Sequence, residues 1–325
     1  MLKKASARGW RNAIQNGPDD DEDMNKLRSM RDAIAEYVLD GSSVALGLQL
    51  EQMIPFAAGH EIMRQNKRDL RLIGPISDCL FDQIIGAGCV KDVVAAWVGN
   101  VMMGQAYNFR SATESGRIRV FNMTNFTIAL GLQAGAMGVP FLPTRTAMGS
   151  DVPKGNHFFY QIISPFEPKE TLFAVRAIVP DVTIVHVQRA DEEGNAHCWG
   201  NLGVMQEAVR AAKKVIVVAE EIVSREVIAS DPNRTVVPGF MVSAVVHGPF
   251  GAHPSPVQGY YSRDNEFFRA YHAETKSADD YACWKAKWVD GLRDRKQYLE
   301  RLGLERLEIL RVKKHAYSIA ADYGY

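Results

Sequence analysis

A chain of 325 residues with 46% hydrophobic content can bury a sizeable core, as one large or two ordinary domains. Its 38 basic residues cancel its 38 acidic ones, so no global field draws it to nucleic acid or to an anionic membrane. Cys79, Cys89, Cys198 and Cys283 form no C-x-x-C pair, which argues against zinc, and no apolar run reaches the roughly 18 to 20 residues that span a bilayer. These features predict a soluble cytoplasmic protein with free core thiols and no metal.

Residues 1–24 differ from the rest: Lys3, Lys4, Arg8 and Arg11 precede Gly17, Pro18 and an acidic run from Asp19 to Asp23. This stretch reads as a flexible N-terminal extension, and residues 25–325 as one domain. Ser29 is placed to cap a helix over Met30 to Leu39, with Asp32 in its acidic first turn. Strand and helix patterns then alternate. Strands are expected at Ser43 to Leu48, Leu70 to Ile73, Asp92 to Val98, Ile118 to Phe121, Val182 to Val187, Val215 to Ala219 and Met241 to Val246. Helices are expected at Pro55 to Gln65, Ser77 to Gly86, Tyr107 to Ser115, Asn125 to Met137 and Met205 to Lys213, with more after Asn265. Such alternation is the signature of an α/β fold, a mainly parallel sheet covered by helices. Thr144 to Lys169, rich in Gly and Pro, reads as one long loop-like insertion.

Three strand ends resemble one another. Gly47 closes VALG before a helix opened by Pro55; Gly74, Pro75 and Ser77 follow the second strand; Gly99 and Asn100 follow the third. Parallel strands bring such ends to one edge, where turn amides can face an anionic or thioester oxygen. Glu51, in the first of these turns, is the carboxylate best placed to meet a ligand. Glu114 is followed by Gly116, a glycine suited to ending a helix, and reads as helix-terminal rather than nucleophilic. Glu220 and Glu221 are candidates for an acid/base pair, with a solvated strand end as the plainer role. His186 lies between Val185 and Val187 on a buried strand, the pattern of a hydrogen-bonded core histidine. His197 has no partner at metal-ligand spacing, and neither an H-E-x-x-H pattern nor a G-x-S-x-G elbow is present. The run Val237 to Asn265 is the densest in signals: an apolar strand, the breakers Gly248, Pro249, Gly251 and Pro254, then a loop that displays His253, Ser255, Tyr260 and Tyr261.

Nearly all of residues 29–313 resembles the alpha subunit of family I CoA-transferases of the glutaconate type. The stretches that carry it are MRDAIAEYV, VALG with PFAAGHEIMRQ, IGAGCVKDV, GLQAGAMGVPFLP, VAEEIVSREVIASDP and VPGFMVSAVVHGPFGAHPS. The resemblance implies an open, mainly parallel sheet with helices on both faces, shared with sugar-phosphate isomerases. It also implies a beta subunit of similar fold in a hetero-oligomer such as a heterotetramer. An acyl-CoA thioester and a free carboxylic acid would be the substrates, with no tightly bound cofactor. No catalytic residue is then expected in this chain: the nucleophile would be a glutamate of the beta subunit, forming an acyl anhydride and then a glutamyl-CoA thioester. The residues expected to meet substrate are Gly47, Gln49, Glu51, Met53, Ser77, Asn100, Asn125 and His253.

Two departures bear on chemistry. Met53 and Ile54 stand where, by the resemblance, glutaconate-type chains carry an Arg-Lys pair, which predicts monocarboxylic, branched, cyclic or aromatic acyl groups rather than dicarboxylic ones. A related subunit belongs to a steroid-catabolic, ring-opening hydrolase that uses an acid near the start of the helix beginning here at Asn125, and an amide cannot act as that base. CoA transfer, CoA-dependent hydrolysis or lysis, and non-catalytic ligand binding are thus the three readings, in that order.

Overall fold

The computed structural model describes residues 25–312, so the expectation for residues 1–24 lies outside them. Its strands of three or more residues, in chain order, are β1 (Ser43–Ala45), β2 (Leu70–Ile76), β3 (Val90–Trp97), β4 (Arg119–Asn122), β5 (Phe141–Thr144), β6 (Phe159–Ile163), β7 (Thr171–Arg176), β8 (Val182–Ala190), β9 (Lys214–Ile222), β10 (Thr235–Val237) and β11 (Ala244–His247). Seven of them form the parallel run of a larger sheet in the order β11, β9, β8, β1, β2, β3, β4, and β10 joins the same sheet antiparallel through the two-residue strand Ala196–His197 beside β8. The chain builds outward from β1 in one direction and later returns to build outward from β8 in the other. The strand order therefore reverses between β1 and β8, and ligands of open α/β sheets bind in the crevice beyond the carboxyl ends at such a point.

Both sheet faces are covered, as the apolar strands require. On β8, Val182 and Ile184 join one core while Val185 and Val187 join the other. Ile216 and Val218 of β9 likewise oppose Val215, Val217 and Ala219. This period of two produces two cores from one sheet. The first core takes the helices α1 (Met30–Tyr37), α2 (Phe56–Arg64) and α3 (Leu80–Gly86), the second α5 (Asn125–Ala136) and α6 (Met205–Ala211); α4 (Tyr107–Glu114) packs on α3, and the short α7 (Arg225–Ala229) follows β9. Ser29 caps α1 by accepting the Asp32 amide, as its position predicts.

Several boundaries differ from expectation for identifiable reasons. β1 stops at Ala45 because Gly47, at φ +67°, turns the chain before Leu48. β2 continues through Gly74 and Pro75 to Ile76; β1 has already ended opposite Ile73, so the proline's missing N–H removes no ladder bond on that side. β9 runs on to Ile222, which places Glu220 and Glu221 within the strand instead of at a solvated end. β11 is shorter than expected, and Gly239–Met241 forms a 3₁₀ turn before it. Thr144 to Lys169 is not all loop: β6 lies inside it and pairs with β7, which pairs with β5, in a separate antiparallel sheet. Three residues of β6 are exposed and span both its faces, so it lacks the apolar alternation that reveals a strand.

Candidate active site

The turns after β1 and β2, together with the hairpin after β3, come together at the carboxyl edge. Gly47 fits against Ser77: a Cβ added at Gly47 would lie 2.3 Å from Ser77 Oγ. Ser77 is fully buried, and its hydroxyl donates to the Leu46 carbonyl at 3.2 Å. On the other side of the β1 turn, Val204 N donates to Leu48 O at 2.9 Å and Gln52 Nε2 to Asn201 O at 2.7 Å. Leu50, Met53 and Asp78 all hold positive φ without being glycines. Such strain persists only where surrounding bonds fix the backbone, and it concentrates at functional sites.

Below these turns lies a chain of buried ion pairs and amides. Arg263, a residue with no warning in the sequence, donates to Glu51 Oε2 at 3.1 Å and to Asp78 Oδ2 at 2.9 Å. Asp78 Oδ1 accepts from Asn100 Nδ2 at 2.8 Å, and Asn100 Oδ1 accepts the amides of Met102 and Met103. Burial pushes the Asp78 carboxyl up to about 6, even with the Arg263 guanidinium and Asn100 drawing it down.

The expected site residues divide on inspection. Gly47, Glu51, Ser77 and Asn100 lie together in this cluster, and Glu51 keeps part of its side chain exposed. Asn125 is exposed as the first residue of α5, beyond the end of β4. Gln49 and Met53 do not project outward. The Gln49 amide is buried against Cys198 Sγ at 3.3 Å, and Met53 is 1% exposed within the second core. The selectivity expected from Met53 and Ile54 therefore loses its basis, since neither side chain meets an open acyl site in this chain.

His253 is the clearest correction. It is fully buried instead of displayed, with Nδ1 2.8 Å from Tyr298 Oη and Nε2 3.0 Å from Asp264 Oδ2. Asp264 also binds Arg306 and accepts the Phe267 amide at the start of α8 (Asn265–Glu274). These donors hold Asp264 well below the usual carboxylate range against the opposing effect of burial. The neutral imidazole thus donates from Nε2 to a carboxylate and accepts at Nδ1 from the tyrosine. Ser255 is equally buried and donates to the Glu51 carbonyl at 2.9 Å, while Met53 N donates to Pro256 O at 3.0 Å. The residue-rich loop after β11 is the floor of the β1 turn, where its polar groups satisfy backbone.

His253 has a measurable consequence for acid stability. Burial drives its pKa from 6.5 down to about 4, outweighing the opposite pull of Asp264. Between these values the unfolded chain binds more protons than the folded one, so this stabilisation is complete above 6.5 and lost as pH falls toward 4, by about 3 kcal/mol. His60, lowered by burial, acts in the same direction, and Asp78, raised by burial, acts against both. Urea midpoints at pH 7 and pH 4.5 should fall less on acidification in His253→Gln than in the unmodified chain; an equal fall would place the sensitivity elsewhere.

The remaining candidates have structural partners. His186 is a buried core histidine, as read, with Nε2 2.6 Å from Glu220 Oε1; Glu220 also accepts from Tyr261 Oη at 2.7 Å and from the Phe250 amide at 2.8 Å. Glu221 pairs with Arg189 at 3.0 Å. Glu114 pairs with Arg110 on the exposed face of α4, and Gly116 follows at φ +70°. His197 Nε2 lies 3.0 Å from the Ile228 carbonyl. Among the described residues, no group of three or more His, Cys, Asp or Glu could hold a metal ion, and no helix is long and apolar enough to cross a membrane.

A family model described as Coenzyme A transferase matches residues 27–248. The chain belongs to this family. It is 39% identical over 274 residues to the A-type subunit of 3-oxoadipate CoA-transferase from Pseudomonas knackmussii, covering 83% of this chain and 96% of the relative. It is 35% identical over 306 residues to the A-type subunit of glutaconate CoA-transferase from Acidaminococcus fermentans, covering 89% and 95%. The crystal structure of the A. fermentans transferase superposes with a TM-score of 0.84 over 88% of this chain and 96% of that one. A more distant relative, 29% identical over 286 residues, is the cholesterol ring-cleaving hydrolase IpdA subunit of Rhodococcus jostii, covering 83% and 94%. As a CoA-transferase family member the chain is an enzyme component acting on CoA thioesters, with the α/β fold that its sequence resemblance implies.

Proposed function

We propose that this chain is the A-type subunit of an acyl-CoA:carboxylate CoA-transferase, and that it binds the acyl-CoA while a partner chain supplies the nucleophile. One observation carries the reading: the carboxylates buried or half-buried at the carboxyl edge described above are already engaged. Glu51 and Asp78 pair with Arg263, and Glu220 is held by His186, Tyr261 and the Phe250 amide. A carboxylate held by strong donors is a poor nucleophile, because attack must break those bonds. Trp97, Val101, Met102 and Phe126 are meanwhile 39–54% exposed at the carboxyl ends of β3 and β4, beside Asn100 and Asn125. Apolar side chains gathered at the mouth of a site fit a partner that covers it.

In this reading the thioester lies against the turn at residues 46–53, with Glu51, Asn100 and Asn125 facing it and Gly47 and Ser77 shaping the turn. The partner's glutamate attacks the thioester carbonyl and expels CoA thiolate, which returns to the glutamyl carbonyl of the anhydride and releases the donor acid; the acceptor acid then attacks the glutamyl-CoA thioester and reverses both steps, leaving as the new acyl-CoA with the glutamate regenerated. Both CoA-transferase relatives are named for dicarboxylic acids. With the Met53 objection removed by burial, dicarboxylic acyl-CoAs are the substrates to try first.

The second reading, CoA-dependent hydrolysis, is favoured by the likeness to the ring-cleaving hydrolase and opposed by Asn125, an amide at the start of α5. Initial-rate kinetics of the complex separate the two. Parallel double-reciprocal lines for acyl-CoA and acceptor, with borohydride trapping of a partner glutamate, are expected for transfer. Turnover that persists without any acceptor acid would establish the hydrolase instead.

A further inference from the structure

Arg263 is fully buried, yet it touches groups from separate parts of the site. Its Nη1 reaches Glu51 in the turn after β1, its Nη2 reaches Asp78 after β2, and its Nε donates to Asn265 Oδ1 at 2.9 Å. The guanidinium lies 4.2 Å from the centroid of the Phe268 ring, which fixes its plane. Through Asp78 the connection continues to Asn100 and thence to the Met102 and Met103 amides of the third loop. A planar fork can serve two carboxylates and stack on a ring at once, whereas an ammonium ion provides only a compact point charge.

We propose that Arg263 is a positioning residue, a central tie that sets the spacing of the three strand-end loops after β1, β2 and β3. The role rests on the acyl-binding reading of this edge, where an error of about 1 Å can cost roughly 100-fold in rate. Arg263 touches none of the reacting atoms; it acts through Glu51, Asp78 and Asn100. The side chain approaches from the segment just before α8, so helix docking and loop geometry depend on the same residue.

Hydrogen exchange of the full chain tests the tie without requiring activity. In Arg263→Lys, amides within residues 46–54, 77–79 and 99–104 should exchange faster together, by about tenfold, while the central strands keep their protection. Asp78→Asn, nearly isosteric, should loosen residues 77–79 and 99–104 more than residues 46–54, and it serves if the lysine variant does not fold. Faster exchange confined to residues 260–266, or no change in either variant, overturns the proposal. In the complex with its partner, Arg263→Ala should lower kcat by about 100-fold with KM within about threefold, and added guanidinium ion should restore part of the loss. A rise in KM with kcat retained, or no restoration, would contradict the positioning role. An unmodified complex without CoA exchange would defeat the functional reading, and the exchange patterns would still decide whether Arg263 ties the loops.

Discussion

Purified alone, this chain is expected to show no CoA exchange above background, and reconstitution with its partner should raise turnover by about 10⁴-fold or more, the scale lost when a nucleophile is absent. The expectation follows from the engaged carboxylates: freeing Glu51 would take one of two carboxylates from the buried Arg263 guanidinium, and freeing Glu220 would strand the buried His186 imidazole. The measurement is CoA exchange between glutaconyl-, glutaryl- or 3-oxoadipyl-CoA and a free acid, with the chain alone and after co-expression with a candidate partner encoded beside it. Robust turnover by the isolated chain would refute the two-subunit reading. If the assembly is obligate, its interface should bury more than about 2,000 Å², and substitution of Trp97 and Met102 by charged residues should weaken it.

Asp264→Ala should be the most destabilising single change in this network, by about 3–5 kcal/mol, the cost of breaking a buried ion pair and leaving its partners uncompensated. One carboxylate here accepts from His253, from Arg306 and from the Phe267 amide, so its removal deprives a buried imidazole, a guanidinium and a helix start together. Asp264→Asn keeps the shape and one acceptor oxygen, and should cost less. Urea unfolding of both variants at pH 7 provides the comparison; equal midpoints for Asp264→Ala and the unmodified chain would show that the network contributes nothing to stability.

The architecture is legible in the sequence because it rests on local patterns repeated many times. Apolar strands alternating with amphipathic helices specify a parallel sheet, and parallel pairing sends the three glycine-marked strand ends to one edge. Gly47, Ser77 and Asn100 meet there because parallel strands have no other place to end. The two valine neighbours of His186 mark it as a core histidine, and Gly116 marks Glu114 as a helix end, both as the structure has them.

Side-chain direction was decided only by the tertiary structure. The loop after β11 presents His253 and Ser255 amid glycines and prolines, a composition equally suited to binding a ligand or to satisfying backbone from beneath; contacts with Asp264, Tyr298 and Glu51 chose the second. Gln49 and Met53 lie in the turn after β1, but Gln49 packs inward against Cys198 and Met53 inside the second core. Arg263 had no local signature, because it meets partners 185 and 212 residues away in sequence. Periodicity along a chain fixes which elements form and where they end, while pairing across such separations depends on how those elements dock. The sequence alone determined the family, the sheet and the edge where the three glycine-marked turns meet; docking of the segment before α8 decided which charges hold that edge together.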